Sequence, residues 1–227
     1  MPVNYQMKWA WAPPPALLNI VLQGNSILAG GGGVSNQYRP LSMIAAARPT
    51  AIVTDVSRGG FDIVGLRANV ADVTSIYVSG RRNIALLQEC SNYLNDTRGE
   101  AAFGGDGLSL SDPDAAALAL YNLYLLWRND VRAGGFEAWV VTSPNAYETT
   151  ASPLGNNTQY IAAQDAFSAL IRTNAAQFDG VCDPAADSRM QNTANTSFFS
   201  GDRIHLSDGA SGGSVVFSNI IIADLPS

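Results

Sequence analysis

A chain of 227 residues, 47% apolar and 14% charged, can bury a full core in one domain and is too poor in charge for extended disorder. A net charge of −6 argues against a nucleic-acid partner, and the basic pair Arg81-Arg82 is too small for a phosphate-tracking groove. No apolar run is long enough to cross a bilayer, and the N-terminus lacks the basic region and unbroken apolar core of an export signal.

Residues 1–15 read as an irregular N-terminal extension ending in the stiff spacer Pro13-Pro14-Pro15, with Trp9 and Trp11 packing on the body or on a neighbouring chain. Residues 16–227 read as a single domain. Its first apolar run, Ala16-Leu17-Leu18-Asn19-Ile20-Val21-Leu22, is bounded by proline and glycine and predicts a buried strand. Gly30 to Gly33 reads as a flexible loop and Tyr38 to Ala47 as a helix. Thr50 to Thr54 predicts a second strand, Ser57-Arg58-Gly59-Gly60 a turn, and Phe61 to Asn69 a helix. A third strand is expected over Thr74 to Ser79, with a helix from Ile84 to Leu94 behind it.

Residues 99–112 are rich in glycine, aspartate and serine and read as a loop. Ser111 or Asp112 can cap the long helix expected over 114–132, with Pro113 in its first turn and Gly134-Gly135 at its end. Phe136 to Thr142 predicts a fourth strand, 158–176 a helix, and Phe178 to Cys182 a fifth strand. Residues 183–207 are polar and irregular, and Ala210 to Leu225 predicts the closing helix. Strands alternating with helices imply a three-layer α/β/α fold with a mostly parallel five-stranded sheet, and such sheets bind ligands beyond the carboxyl ends of their strands.

Several chemistries have no support. Gly30-Gly31-Gly32-Gly33 is followed by no Lys-Ser/Thr, so it is not a phosphate loop, and no dinucleotide fingerprint occurs. One histidine and two distant cysteines, Cys90 and Cys182, make neither a zinc site nor a disulfide framework; two buried free thiols are expected, with one bridge as the alternative. Asp106, Asp112 and Asp114 read as solvated loop residues rather than a calcium site. The glycosylation-like triplets at Asn95, Asn157 and Asn195 read as chance.

What remains is one imidazole. His205 is the only histidine, in Asp202-Arg203-Ile204-His205-Leu206-Ser207. A serine needs a base before it becomes a nucleophile, and a carboxylate fixes the tautomer of that base. Asp202 is three residues from His205, close enough for one turn to bring both side chains together. Ser26 comes just after the first strand in Gly24-Asn25-Ser26-Ile27, where it could otherwise cap a helix. A Gly-x-Ser-x-Gly elbow is not formed, because position 28 is Leu.

Gly24-Asn25-Ser26-Ile27 resembles the Gly-Asp-Ser-Leu block of the SGNH (GDSL-type) hydrolases. Asp202-Arg203-Ile204-His205-Leu206-Ser207 is similar to that family's Asp-x-x-His block, with Phe178 to Asp187 resembling the segment before it. The order is right and the resemblance spans about residues 16–224. It implies a flavodoxin-like sheet and an ester hydrolase that needs no cofactor or metal. Ser26 would be the nucleophile, His205 the base and Asp202 its orienting partner. The family's oxyanion hole takes the backbone N–H of the serine, a glycine of the second block (here Gly60, with Gly59 as the neighbour) and an asparagine of the third block. The third block departs from the Gly-x-Asn-Asp pattern, reading Gly80-Arg81-Arg82-Asn83. Either Asn83 serves, or Arg82 replaces the asparagine, or that donor is missing.

The resemblance implies a small acyl ester as substrate; the lack of a large apolar lid favours short acyl groups such as acetyl on a carbohydrate. Nucleic-acid and membrane partners are not expected, and a cytoplasmic or virion setting fits the lack of an export signal. The alternative is a non-catalytic structural or glycan-binding protein that keeps the fold, as in a phage tail. An acyltransferase is the third reading.

Overall fold

Every side chain of Leu18–Gly24 (β1) is buried, although two of them are polar amides. That pattern belongs to a central strand covered on both faces. A computed structural model describes residues 17–96, 112–145 and 157–226. The expected extension 1–15, the expected loop 99–112 apart from Asp112 (Asp106 and Ser111 with it) and residues 146–156 lie outside the described residues, as do the side chains of Asn95 and Asn157.

β1 pairs on one side with Ile52–Asp55 (β2) and on the other with Arg82–Gln88 (β3). Glu137–Val141 (β4) and Gly180–Cys182 (β5) extend the sheet, giving the order β2-β1-β3-β4-β5 with every pair parallel. Successive strand residues point to opposite faces, and the core divides accordingly. Val21, Ala85, Leu87, Ala138 and Val140 face one apolar layer; Ile20, Leu22, Ile84, Leu86, Trp139 and Val141 face the other.

The second layer is closed by Pro40–Ala47 (α1) and Gly213–Asp224 (α7). The first is closed by Ile63–Ala68 (α2), Ala71–Thr74 (α3), Ser91–Asp96 (α4), Pro113–Ala133 (α5) and Asn157–Thr173 (α6). Asp112 caps α5, accepting the Ala115 N–H at 3.0 Å, and Pro113 occupies the first turn. The buried amides of β1 are tied into the first layer: Asn19 donates to Asn83 Oδ1 at 2.8 Å, and Gln23 donates to the Leu66 carbonyl while accepting Trp127 Nε1–H at 2.7 Å. Leaving such a group unpaired costs about 1–3 kcal/mol. Cys90 lies in the first layer and Cys182 in the second; both are buried free thiols with the sheet between them.

One stretch departs from the sequence reading. Thr74 to Ser79 is not a strand: α3 ends at Thr74 and turns come after it. The third strand is β3, over residues expected to open a helix. Its core, Ile84-Ala85-Leu86-Leu87, is wholly buried. A strand buried on both faces loses its polar alternation, so its sequence reads equally as a buried helix. No helix among the described residues is long and apolar enough to cross a membrane.

Candidate active site

The carboxyl end of β1 runs directly into a tight turn. A Cβ at Gly24 would stand 2.5 Å from the Gln88 carbonyl oxygen and 2.9 Å from Leu28 Cβ, so only glycine fits there. Asn25 pins the turn at three points. Its N–H donates to the Gln88 carbonyl, its Oδ1 accepts Ile27 N–H at 2.9 Å, and its Nδ2 donates to Ser91 Oγ at 3.0 Å. Ser26, the next residue, is thereby held half-exposed at the carboxyl edge of the sheet.

The histidine arrives on a second loop. Phe199 and Leu206 form an antiparallel bridge, and the Ser200 N–H donates to the His205 carbonyl at 2.8 Å. Inside this closed loop Arg203 takes φ 58°, the only non-glycine residue in the left-handed region among the described residues. That conformation costs about 1–2 kcal/mol. It bends the chain so that Asp202 and His205 meet. Asp202 Oδ2 lies 2.7 Å from His205 Nδ1, and His205 Nε2 lies 2.8 Å from Ser26 Oγ. With Nδ1 donating to the carboxylate, the lone pair of Nε2 faces the serine hydroxyl.

Asp202 is built to stay charged. Partial burial opposes ionisation, but bonds from the Ser200 hydroxyl, the His205 ring and the N–H groups of His205 and Ile204 outweigh it. They hold its carboxyl well below the usual carboxylate range.

The glycine run at 30–33 acquires a role that composition hides. A Cβ at Gly31 would lie 3.0 Å from Ser26 Cβ and 3.1 Å from His205 Cδ2; one at Gly32 would lie 2.3 Å from His205 Cβ. The loop is a cradle against which the imidazole rests. Asp208 fastens it, accepting the N–H and hydroxyl of Ser35. The sequence suggests only a flexible loop here; the absence of any side chain across four consecutive residues is the signal that another group comes close.

The second-block glycines also reach this edge. Arg58 N–H donates to the Gly24 carbonyl at 2.8 Å, and a Cβ at Gly59 would stand 3.7 Å from Ser26 Cβ. Gly60 is next, in the left-handed region at φ 81°.

The third-block assignment fails on geometry. Asn83 and Arg82 open β3, a seven-residue strand, and pair with Asn19 and Leu18 at the start of β1. They stand at the opposite edge of the sheet from Ser26. All of Asn83 is occupied there: Oδ1 accepts Asn19 Nδ2 and Val78 N–H, and Nδ2 donates to the Val78 and Arg81 carbonyls. Arg82 makes a two-pronged ion pair with Glu137, at 2.6 and 2.8 Å. The sequence reading passes over Asn92, four positions beyond the carboxyl end of β3. Its Nδ2 donates to the Phe61 carbonyl, beside Gly60, at 2.8 Å, which leaves one N–H of the amide for another acceptor. Reading Ile84 to Leu87 as a strand would have found it.

Among the described residues no group of three histidine, cysteine, aspartate or glutamate side chains is placed to hold a metal ion. No protein-family profile matches the chain, and no curated protein matches it in sequence. Solved structures do match in shape. A lipolytic protein of the G-D-S-L family from Veillonella parvula superimposes with a TM-score of 0.63 at 13% identity, covering 91% of this chain and 97% of its own. An acetyl xylan esterase matches with a TM-score of 0.62 at 14% identity, covering 90% and 98%. The esterase EstA from Pseudoalteromonas sp., in a form inhibited by monoethylphosphonate, matches with a TM-score of 0.57 at 9% identity, covering 91% and 95%. The chain has the fold of the SGNH (GDSL-type) hydrolases.

Proposed function

We propose that this chain is a serine ester hydrolase of the SGNH type that acts on short-chain acyl esters, with O-acetylated carbohydrate as the favoured class. The observation that carries the reading is the relay itself: Ser26 Oγ at 2.8 Å from His205 Nε2, and His205 Nδ1 at 2.7 Å from Asp202. Ser26 meets the neighbouring pair Asp202 and His205 from the other end of the chain, in the order that proton transfer requires.

Ser26 Oγ attacks the ester carbonyl while His205 Nε2 takes its proton. Asp202 remains ionised and stabilises the imidazolium that forms. The oxyanion is held by backbone N–H groups of Ser26 and the Gly59-Gly60 turn and by the Asn92 amide, in place of Asn83. Collapse of the tetrahedral intermediate expels the alcohol, protonated by His205. Water then attacks the acyl-serine, losing its proton to His205, and the second intermediate collapses as His205 returns that proton to Ser26 Oγ and the acid leaves. The acetyl preference draws support from the acetyl xylan esterase among the structures of similar shape. The non-catalytic alternative draws on the altered segment Gly80 to Asn83 and on the aromatic N-terminal stretch with Trp9 and Trp11; with Gly80 to Asn83 at the far edge of the sheet, it loses the first of these supports.

The test is hydrolysis of p-nitrophenyl acetate and acetylated xylan by the wild type and Ser26→Ala. Turnover reduced by about 10⁴-fold or more in the variant is expected. A phosphonate ester should label Ser26 alone. Equal turnover in the two proteins, or a label on another serine, overturns the reading.

A further inference from the structure

Directly after β3, under the turn that carries Ser26, lies an acid that the proposed reaction does not use. Glu89 is wholly buried. Its Oε1 accepts the N–H groups of Asn92 at 2.8 Å and Tyr93 at 3.3 Å, capping the start of α4. The same oxygen lies 3.5 Å from Asn25 Nδ2. Oε2 has no hydrogen-bond partner. The Glu89 backbone is clamped as well: its N–H donates to the Tyr124 hydroxyl at 2.8 Å, and that hydroxyl donates back to the Glu89 carbonyl.

This one carboxyl group therefore touches both halves of the site. Asn25 is the residue before Ser26, and Asn92 carries the proposed oxyanion donor. The ionisable groups that bear on Glu89 are Asp62 at the start of α2, Tyr124 of α5, and Cys90 beside it on the chain. None of them is a cation. A carboxylate here would present a bare oxygen to a dry interior with another carboxyl nearby. A neutral acid keeps the acceptor Oε1 in use and leaves one uncharged hydroxyl without a partner at Oε2, a smaller penalty than a bare charge there.

We infer that Glu89 is a positioning residue that works as an uncharged acid, holding Asn25 and the first turn of α4 in register with Ser26, and that loss of its proton disarms the site. The inference rests on the esterase reading. Burial pushes the Glu89 carboxyl up to about 8, with Asp62 adding to the rise and the N–H groups of Asn92, Tyr93 and Cys90 opposing it. Once ionised, it sets a negative charge beneath the place where the oxyanion must develop, and the transition state is repelled. The proton goes to solvent base, and no bond within the site is made or broken.

Glu89→Gln keeps the acceptor oxygen and the shape but cannot ionise. The measurement is kcat/KM for p-nitrophenyl acetate from about pH 6 to about pH 10, spontaneous hydrolysis subtracted, for wild type and variant. The wild type is expected to lose activity above about pH 8, approaching tenfold per pH unit, while the variant, whatever the height of its plateau, shows no such limb. The same alkaline limb in both proteins overturns the inference and leaves the esterase reading standing. Infrared titration of the wild type provides a readout besides activity: a buried carboxylic-acid carbonyl band should disappear with a midpoint near pH 8, and no band titrating there overturns the inference even if the variant fails to fold or the chain hydrolyses no ester.

Discussion

Substituting alanine for Gly32 tests whether the glycine cradle sets the geometry of the site. The new Cβ would lie 2.3 Å from His205 Cβ and 2.9 Å from Cγ. Carbon atoms rest at about 3.5–4.0 Å, so the imidazole must retreat by roughly 1.2–1.7 Å. The 2.8 Å contact to Ser26 Oγ would then exceed hydrogen-bonding reach. A displacement of about 1 Å typically costs about 10²-fold in rate. Gly32 also sits at φ 78°, so alanine there adds about 1–2 kcal/mol of backbone strain. Gly33→Ala is the matched control: φ is 86°, but nothing lies within 4 Å of the added atom. Backbone strain alone is expected to lower Tm by about 2–8 °C in both variants, with the contact to His205 adding to the loss in Gly32→Ala. In an ester-hydrolysis assay Gly32→Ala should fall about 100-fold in kcat/KM, whereas Gly33→Ala should stay within about threefold of wild type. Equal kcat/KM in the two variants would refute the claim that the loop positions the ring.

Asp202→Asn should lower kcat by about 10⁴-fold with little change in fold, since the amide cannot hold the tautomer that presents a free Nε2 lone pair; retained kcat would remove Asp202 from the relay. The folded-state carboxyl of Asp202 is depressed, so its contribution to stability is present above the unfolded value of 3.8 and is lost as pH falls through the lower folded value. Acid unfolding should therefore be steeper below about pH 4 in wild type than in Asp202→Asn, which keeps the other depressed carboxyls, such as Asp179 and Asp183. Asn83→Ala should destabilise by about 3 kcal/mol, by stranding buried partners, while Arg82→Asn removes a half-exposed ion pair worth about 1 kcal/mol or less. Neither should change kcat, and a tenfold fall in either would return them to the site. Glu89 has the opposite sign to Asp202: its raised folded value makes its stability contribution complete below 4.5 and lost as pH climbs to about 8. Glu89 should weaken wild type to chemical denaturation by at most about 1.4 kcal/mol per pH unit across that window, and Glu89→Gln should lack that slope.

Fold class and the three residues proposed for the relay were legible in the amino-acid order, for a chemical reason. One histidine leaves one place for an imidazole; Asp202 and Asp208 both stand three residues from it, and the resemblance of Asp202 to His205 to the family's Asp-x-x-His block pointed to Asp202. Strands at the margins of the sheet, and α5 with its aspartate cap and proline, also announced themselves through turn residues and local caps. Packing was needed to establish β3 and everything that hangs from it. A strand covered on both faces carries no alternation, so Ile84 to Leu87 could not declare its own period, and the search for the third-block asparagine stopped at Asn83 and passed over Asn92, the donor proposed here. The cradle at Gly31 and Gly32, and the buried acid at Glu89, were equally silent. Their meaning lies in atoms approaching from far along the chain, and such approach is created only when the sheet is assembled.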